Sequence, residues 1–70
     1  MRKPLVDMSV YGDRVHRRRL DLGLSRKDVV EKAGVSINAL QKLESGENVR
    51  AVTYMAVCRV LDLKIEFYAA

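Results

Sequence analysis

Residues 25 to 47, SRKDVVEKAGVSINALQKLESGE, carry apolar side chains at helical spacing, break off at Ala33-Gly34-Val35, and then resume a helical pattern. The stretch predicts two short helices bent about one glycine. Gly34 permits a backbone reversal that a residue with a Cβ resists. Ser25-Arg26-Lys27-Asp28 fits a variant capping box: the serine hydroxyl caps the first turn and Asp28 favours the positive helix end. The second helix runs to about Ala33 with Val29, Val30 and Ala33 inward. Ser36 is placed to cap a third helix from Ile37 to about Ser45.

The flanks supply the rest of a small helical domain. Residues 1–8 show no consistent period and contain Pro4, so they read as an arm that is loose unless a partner orders it. Tyr11 to Leu22 favour helix, with Gly23 as a left-handed C-terminal position. Gly46 marks a second break. Ala51 to Leu61 places Ala51, Tyr54, Met55, Cys58 and Leu61 at helical spacing, behind a poor cap at Arg50. Gly12, Gly23, Gly34 and Gly46 read as one per junction, punctuating helices rather than forming a phosphate-binding loop. The expected fold is mostly α, a domain over 9–62 followed by a strand over 63–70. There Leu63, Ile65 and Phe67 alternate with Lys64, Glu66 and Tyr68. A lone strand needs another to satisfy its backbone, and only Leu5-Val6 offers a short internal one. The same strand from a second copy would make a homodimer about a two-fold axis. The other reading is an extended tail packed on its own domain.

Composition removes several classes. Seventy residues make one domain near the lower size limit for independent stability, which favours help from a partner chain. The chain is 49% apolar and 31% charged, as in globular domains, and no apolar run approaches the roughly 20 residues of a membrane span. No apolar stretch follows the basic Met1-Arg2-Lys3-Pro4 start, so no secretory signal is expected. Cys58 has no second cysteine to bridge, and a reducing cytosol is the simplest setting. Neither Cys58 nor His16, the one histidine, has neighbours resembling a catalytic triad or zinc cluster; no enzyme activity, metal or cofactor is expected. Cys58 reads as a small buried apolar residue and His16 as a surface residue. The formal charge of +4 favours a polyanionic partner without requiring one.

Two motifs, "GDRVHRRRLDLGLSRKDVVEKAGVSINALQKLESGE" and "TYMAVCRVLDL", resemble the Cro/cI-type helix-turn-helix family, also called the Xre family. Val30, Gly34, Val35, Leu40 and Leu43 stand at the positions that shape the family's two-helix unit, with Val30 where alanine is more usual. The resemblance implies a four- to five-helix lambda-repressor-like domain that binds double-stranded DNA. The short "LDLKIEF" resembles the closing strand of HipB-type antitoxins, in which tails of two subunits pair. It implies dimerisation through Leu63, Ile65 and Phe67, and a toxin protein as a second partner.

On the third helix, Asn38, Gln41, Lys42 and Ser45 fall on one stripe, with Leu40 and Leu43 facing away. Any amphipathic surface helix shows a polar stripe, but in this setting it fits a major groove, where Asn or Gln can pair with adenine and Lys can reach guanine or phosphate. Ile37 can touch a thymine methyl. The family's base-reading positions carry over to Ser36, Ile37, Asn38, Gln41 and Lys42, with Ile37 replacing a commoner polar residue. Phosphate contacts are expected from Ser25, Arg26 and Lys27 at the start of the second helix, and from Ser45, Asn48 and Arg50 beyond the third. Arg26 stands where the family commonly has a phosphate-binding glutamine. Arg17, Arg18 and Arg19 point about 100° apart and cannot share one face. Arg17 is a phosphate candidate or simply solvated. Arg18 is expected to lay its stem along the core, and Arg19 matches a family arginine that ion-pairs with Glu44. The expected function is a cytoplasmic transcriptional regulator, a repressor occupying a palindromic operator as a homodimer, in the narrower form an autoregulating antitoxin. The alternative is a protein-interaction module that keeps the fold as scaffold without specific DNA binding.

Overall fold

Ser25 has the extended backbone of an N-cap, with φ −80° and ψ 163°. Its hydroxyl accepts the Asp28 N–H at 3.0 Å, while its own N–H donates to the Asp28 carboxylate at 2.9 Å. That reciprocal pair starts a helix, and the Ser25 amide bonded to Asp28 holds this exposed carboxyl below its ordinary value. Gly34 ends the helix in the left-handed region at φ 70°, donating to the Val30 carbonyl at 2.9 Å. Two residues later Ser36 caps the next helix by accepting the Ala39 N–H at 3.0 Å. The expected bend is therefore built from local polar bonds.

The computed structural model describes residues 8–65. Four helices follow one another: α1 (Met8–Asp21), α2 (Arg26–Ala33), α3 (Ile37–Glu44) and α4 (Ala51–Val60). Their shared core is Tyr11 and Val15 from α1, Val29 from α2, Leu40 and Leu43 from α3, and Tyr54, Val57 and Cys58 from α4, closed by Leu61. Tyr11 and Tyr54 meet edge to face, 5.2 Å between centroids and 77° between planes, a geometry aromatic rings favour. Burial pushes up both the Tyr54 hydroxyl and the Cys58 thiol, so both stay neutral in the core. Cys58 is buried as its spacing implies.

Four expectations need correction. Helix α1 begins at Met8, inside the stretch read as arm and ahead of Tyr11. Gly12 is not at a junction: it lies within α1, buried, and a Cβ there would run into the Leu43 carbonyl oxygen at the end of α3. Ala51 is exposed while Val57, absent from the expected inward set, is fully buried. The α4 register is set by the large Tyr54 and Leu61 rather than by its small first residue. His16 is half-exposed yet bonded into the site described below.

Beyond α4 the chain runs back along α1. Arg18 Nε donates to the Leu61 carbonyl at 2.9 Å, and Arg14 donates through Nη2 to the Lys64 carbonyl at 3.1 Å and through Nη1 to the Tyr54 hydroxyl at 2.7 Å. Leu63 packs on the core and Ile65 is exposed; residues 63–65 have no regular secondary structure, and the described residues contain no strand. Phe67 and most of the expected pairing segment lie outside the described residues, as do residues 1–7 of the expected arm.

Candidate functional site

Leu40 and Leu43 are fully buried, which fixes the rotation of α3 and leaves Ile37, Asn38, Gln41 and Lys42 on the solvent side. Ile37 is 41% exposed, a large apolar side chain held out at the helix start. The side chains of Asn38, Gln41 and Lys42 make no hydrogen bond to any described residue. Ser36 is partly committed, since its hydroxyl oxygen caps α3.

Two shallow grooves flank this face. One is bounded by Arg26, Asn38, Gln41, Lys42, Ser45 and Glu47. The other is lined by Ser36, Asn38, Ala39 and Lys42 on one side, with Asn48, Val49, Arg50 and Thr53 opposite. The structure thus brings Ser36, Asn38, Gln41 and Lys42 of the expected base-reading set together with Arg26, Ser45, Asn48 and Arg50, whereas Ile37 lines neither groove. Lys27 is exposed in the first turn of α2, beside Arg26. Ser25 serves its capping box, and Arg17 sits away from both grooves in an exposed pair with Asp13 at 3.0 Å. Glu47, Val49 and Thr53 were not singled out in the sequence. They come from a loop and a helix start whose placement only the packed fold reveals. Ser45 lies within 3.0 Å of both the Lys42 carbonyl and the Glu47 carboxylate, so one anionic group stands among the site's cations.

Beneath the first groove lies a buried carboxylate. Glu44, its side chain 3% exposed, accepts from Arg19 Nε at 2.7 Å and from Arg19 Nη2 at 3.1 Å. His16 Nδ1 at 3.0 Å and Arg26 Nε at 3.1 Å share its Oε1. Burial alone would push this carboxyl up. The hydrogen bonds from Arg19 and His16 and the charges of Arg19 and Arg26 outweigh it, and Glu44 is held below its ordinary value. Arg19 also donates through Nη1 to the Leu24 carbonyl at 3.0 Å, tying the α1–α2 turn to the same point. The Arg19–Glu44 pair implied by the family resemblance is present. The contacts of His16 and Arg26 to the same carboxylate were not expected.

Such a site has the parts for reading a polyanion: amides free to make paired hydrogen bonds, cations at the edges, and a rigid frame beneath. Among the described residues no cluster of His, Cys, Asp or Glu could hold a metal, and no helix is long and apolar enough to cross a membrane. A family model described as a helix-turn-helix domain matches residues 10–66. Among solved structures the chain is similar to SinR, a master regulator for biofilm formation crystallised in complex with DNA. That match has 30% identity and a TM-score of 0.70, covering 79% of this chain and 90% of that one. It is also similar to the clp gene regulator ClgR from Corynebacterium glutamicum, with 26% identity and a TM-score of 0.75 over 91% of this chain and 68% of that one. No curated protein matches the chain in sequence.

Proposed function

The chain belongs to the helix-turn-helix domain family, of Cro/cI type, and from that premise we propose that it is a sequence-specific DNA-binding transcriptional regulator. The observation that carries the reading is the outer face of α3, where the side chains of Asn38, Gln41 and Lys42 bond to no described residue and stand between grooves edged by Arg26 and Arg50. With α3 in a major groove, Asn38 and Gln41 read base edges, Ile37 meets a thymine methyl and Lys42 reaches guanine or phosphate. Arg26, Lys27, Asn48 and Arg50 hold the backbone on either side. SinR, a relative over most of the chain, is a regulator in complex with DNA, which supports the same partner here.

Binding to a pool of random duplexes at graded salt tests this reading. Wild-type protein is expected to enrich one sequence class, and its affinity to fall steeply as salt rises. Gln41→Ala is expected to lose about 1–3 kcal/mol of discrimination at one base position, whereas Lys27→Ala weakens all duplexes alike and lowers the salt slope by about one unit. No preference among duplexes at low salt would refute the regulator and leave the interaction-module alternative.

The finer reading is a homodimeric repressor on a palindromic operator, with two α3 helices in major grooves roughly 34 Å apart. Its support is the alternation of Leu63, Ile65 and Phe67 with polar residues, together with the exposure of Ile65. Removing residues 64–70 is expected to yield monomers in sedimentation and to abolish cooperative binding; a truncated chain that stays dimeric sinks tail pairing. In the narrowest form the protein is an antitoxin that represses its own operon. Co-purification of a toxin from native cells is the expected result.

A further inference from the structure

Arg26 is anchored in the middle of its guanidinium rather than at the tip. Its Nε donates to Glu44 Oε1 at 3.1 Å, while Nη1 and Nη2 make no hydrogen bond with any described residue. The side chain is 42% exposed and borders the groove that also holds Asn38, Gln41, Lys42 and Ser45. A guanidinium is planar, so fixing Nε against a carboxylate fixes the plane and the direction of the two remaining nitrogens. The carboxylate is itself immobile, because it is buried, gripped on Oε2 and Oε1 by Arg19, and approached on Oε1 by His16. Two guanidiniums face one carboxylate here, so the cluster keeps a positive balance toward an anion.

We propose that Glu44 is a positioning residue for DNA binding: it holds Arg26 as a preset fork whose free Nη pair grips one phosphodiester of the strand beside α3. The proposal rests on the DNA-binding reading and deepens it. Orientation, not charge alone, is what the arrangement supplies. A lysine at this position brings the same charge on a single nitrogen, which cannot both bond Glu44 and present two parallel donors to a phosphate.

Affinity for a selected duplex, measured across salt for wild type, Arg26→Lys and Arg26→Ala, tests it. Arg26→Lys is expected to keep the wild-type salt slope, which counts charges, yet to bind about tenfold more weakly because the side chain must be ordered on binding. Arg26→Ala is expected to lose the affinity and about one unit of slope as well. Arg26→Lys binding as tightly as wild type would overturn the positioning role alone. Failure of the wild type to bind duplex would overturn the DNA-binding reading with it. In a background of Arg19→Met with Glu44→Met, which removes both buried charges together, Arg26→Lys is expected to have no further effect. An undiminished tenfold loss there would take Glu44 out of the account.

Discussion

Replacing Glu44 by glutamine is expected to remove most of the domain's stability and bring its melting transition down toward room temperature. The substitution keeps shape but removes the charge opposite Arg19, a residue only 7% exposed, and strips the carboxylate from the contacts of His16 and Arg26 as well. Breaking a buried ion pair from one side costs about 3–5 kcal/mol. A domain of this size has a total stability of about 5 kcal/mol. Circular dichroism should show the melting temperature lowered by about 15 °C or more; a variant melting within a few degrees of wild type would mean that Arg19 finds another partner. The same carboxylate sets the acid response. Its folded pKa lies below the unfolded one, so its contribution is complete above the unfolded value and disappears as pH falls through the folded value. Wild-type melting temperature is therefore expected to hold near neutral pH and decline in the acid range below ordinary carboxylate values.

Gly12→Ala is the second large effect, and its sign runs against helix propensity. Within a helix this change ordinarily stabilises by about 1 kcal/mol. At position 12 the new methyl meets the Leu43 carbonyl oxygen, with the Gly46 nitrogen and Glu44 carbonyl also close. All three are backbone atoms and cannot swing away, so α1 must shift off α3. Overpacking of that kind costs about 1–3 kcal/mol or more. A net loss of about 2 kcal/mol would lower the melting temperature by about 10 °C in a domain this small. A higher melting temperature in the alanine variant would show that the two helices are not in close contact there.

What the amino-acid order reveals divides by the range of the interaction. The capping box of Ser25 and Asp28, the Gly34 bend and the Ser36 cap were legible because each is completed within three or four residues. The exposed polar face of α3 was legible for the same reason, since period alone separates Leu40 and Leu43 from Asn38, Gln41 and Lys42. The ion pair of Arg19 with Glu44 spans 25 positions and was readable only through a family resemblance. The attachment of His16 and Arg26 to that carboxylate had no sequence signal, because nothing local distinguishes a bonded arginine from a solvated one. Gly12 was misplaced for a related reason. A glycine that allows two helices to touch looks in sequence like one that ends a helix. Glu47 and Thr53 enter the site only because the chain between α3 and α4 folds back beside α3.

The outward face of α3 is held from behind. Leu40 and Leu43 are sealed in the core, the backbone at Leu43 rests on Gly12, and Glu44 is locked below, while the side chains of Asn38, Gln41 and Lys42 make no hydrogen bond to any described residue. Surface positions of this kind tolerate exchange with little change in stability. On the proposed reading, a lineage carrying this scaffold can therefore change its genomic address by one or two substitutions while its folding stays as it was, and duplicated copies can diverge in what they control before they diverge in shape.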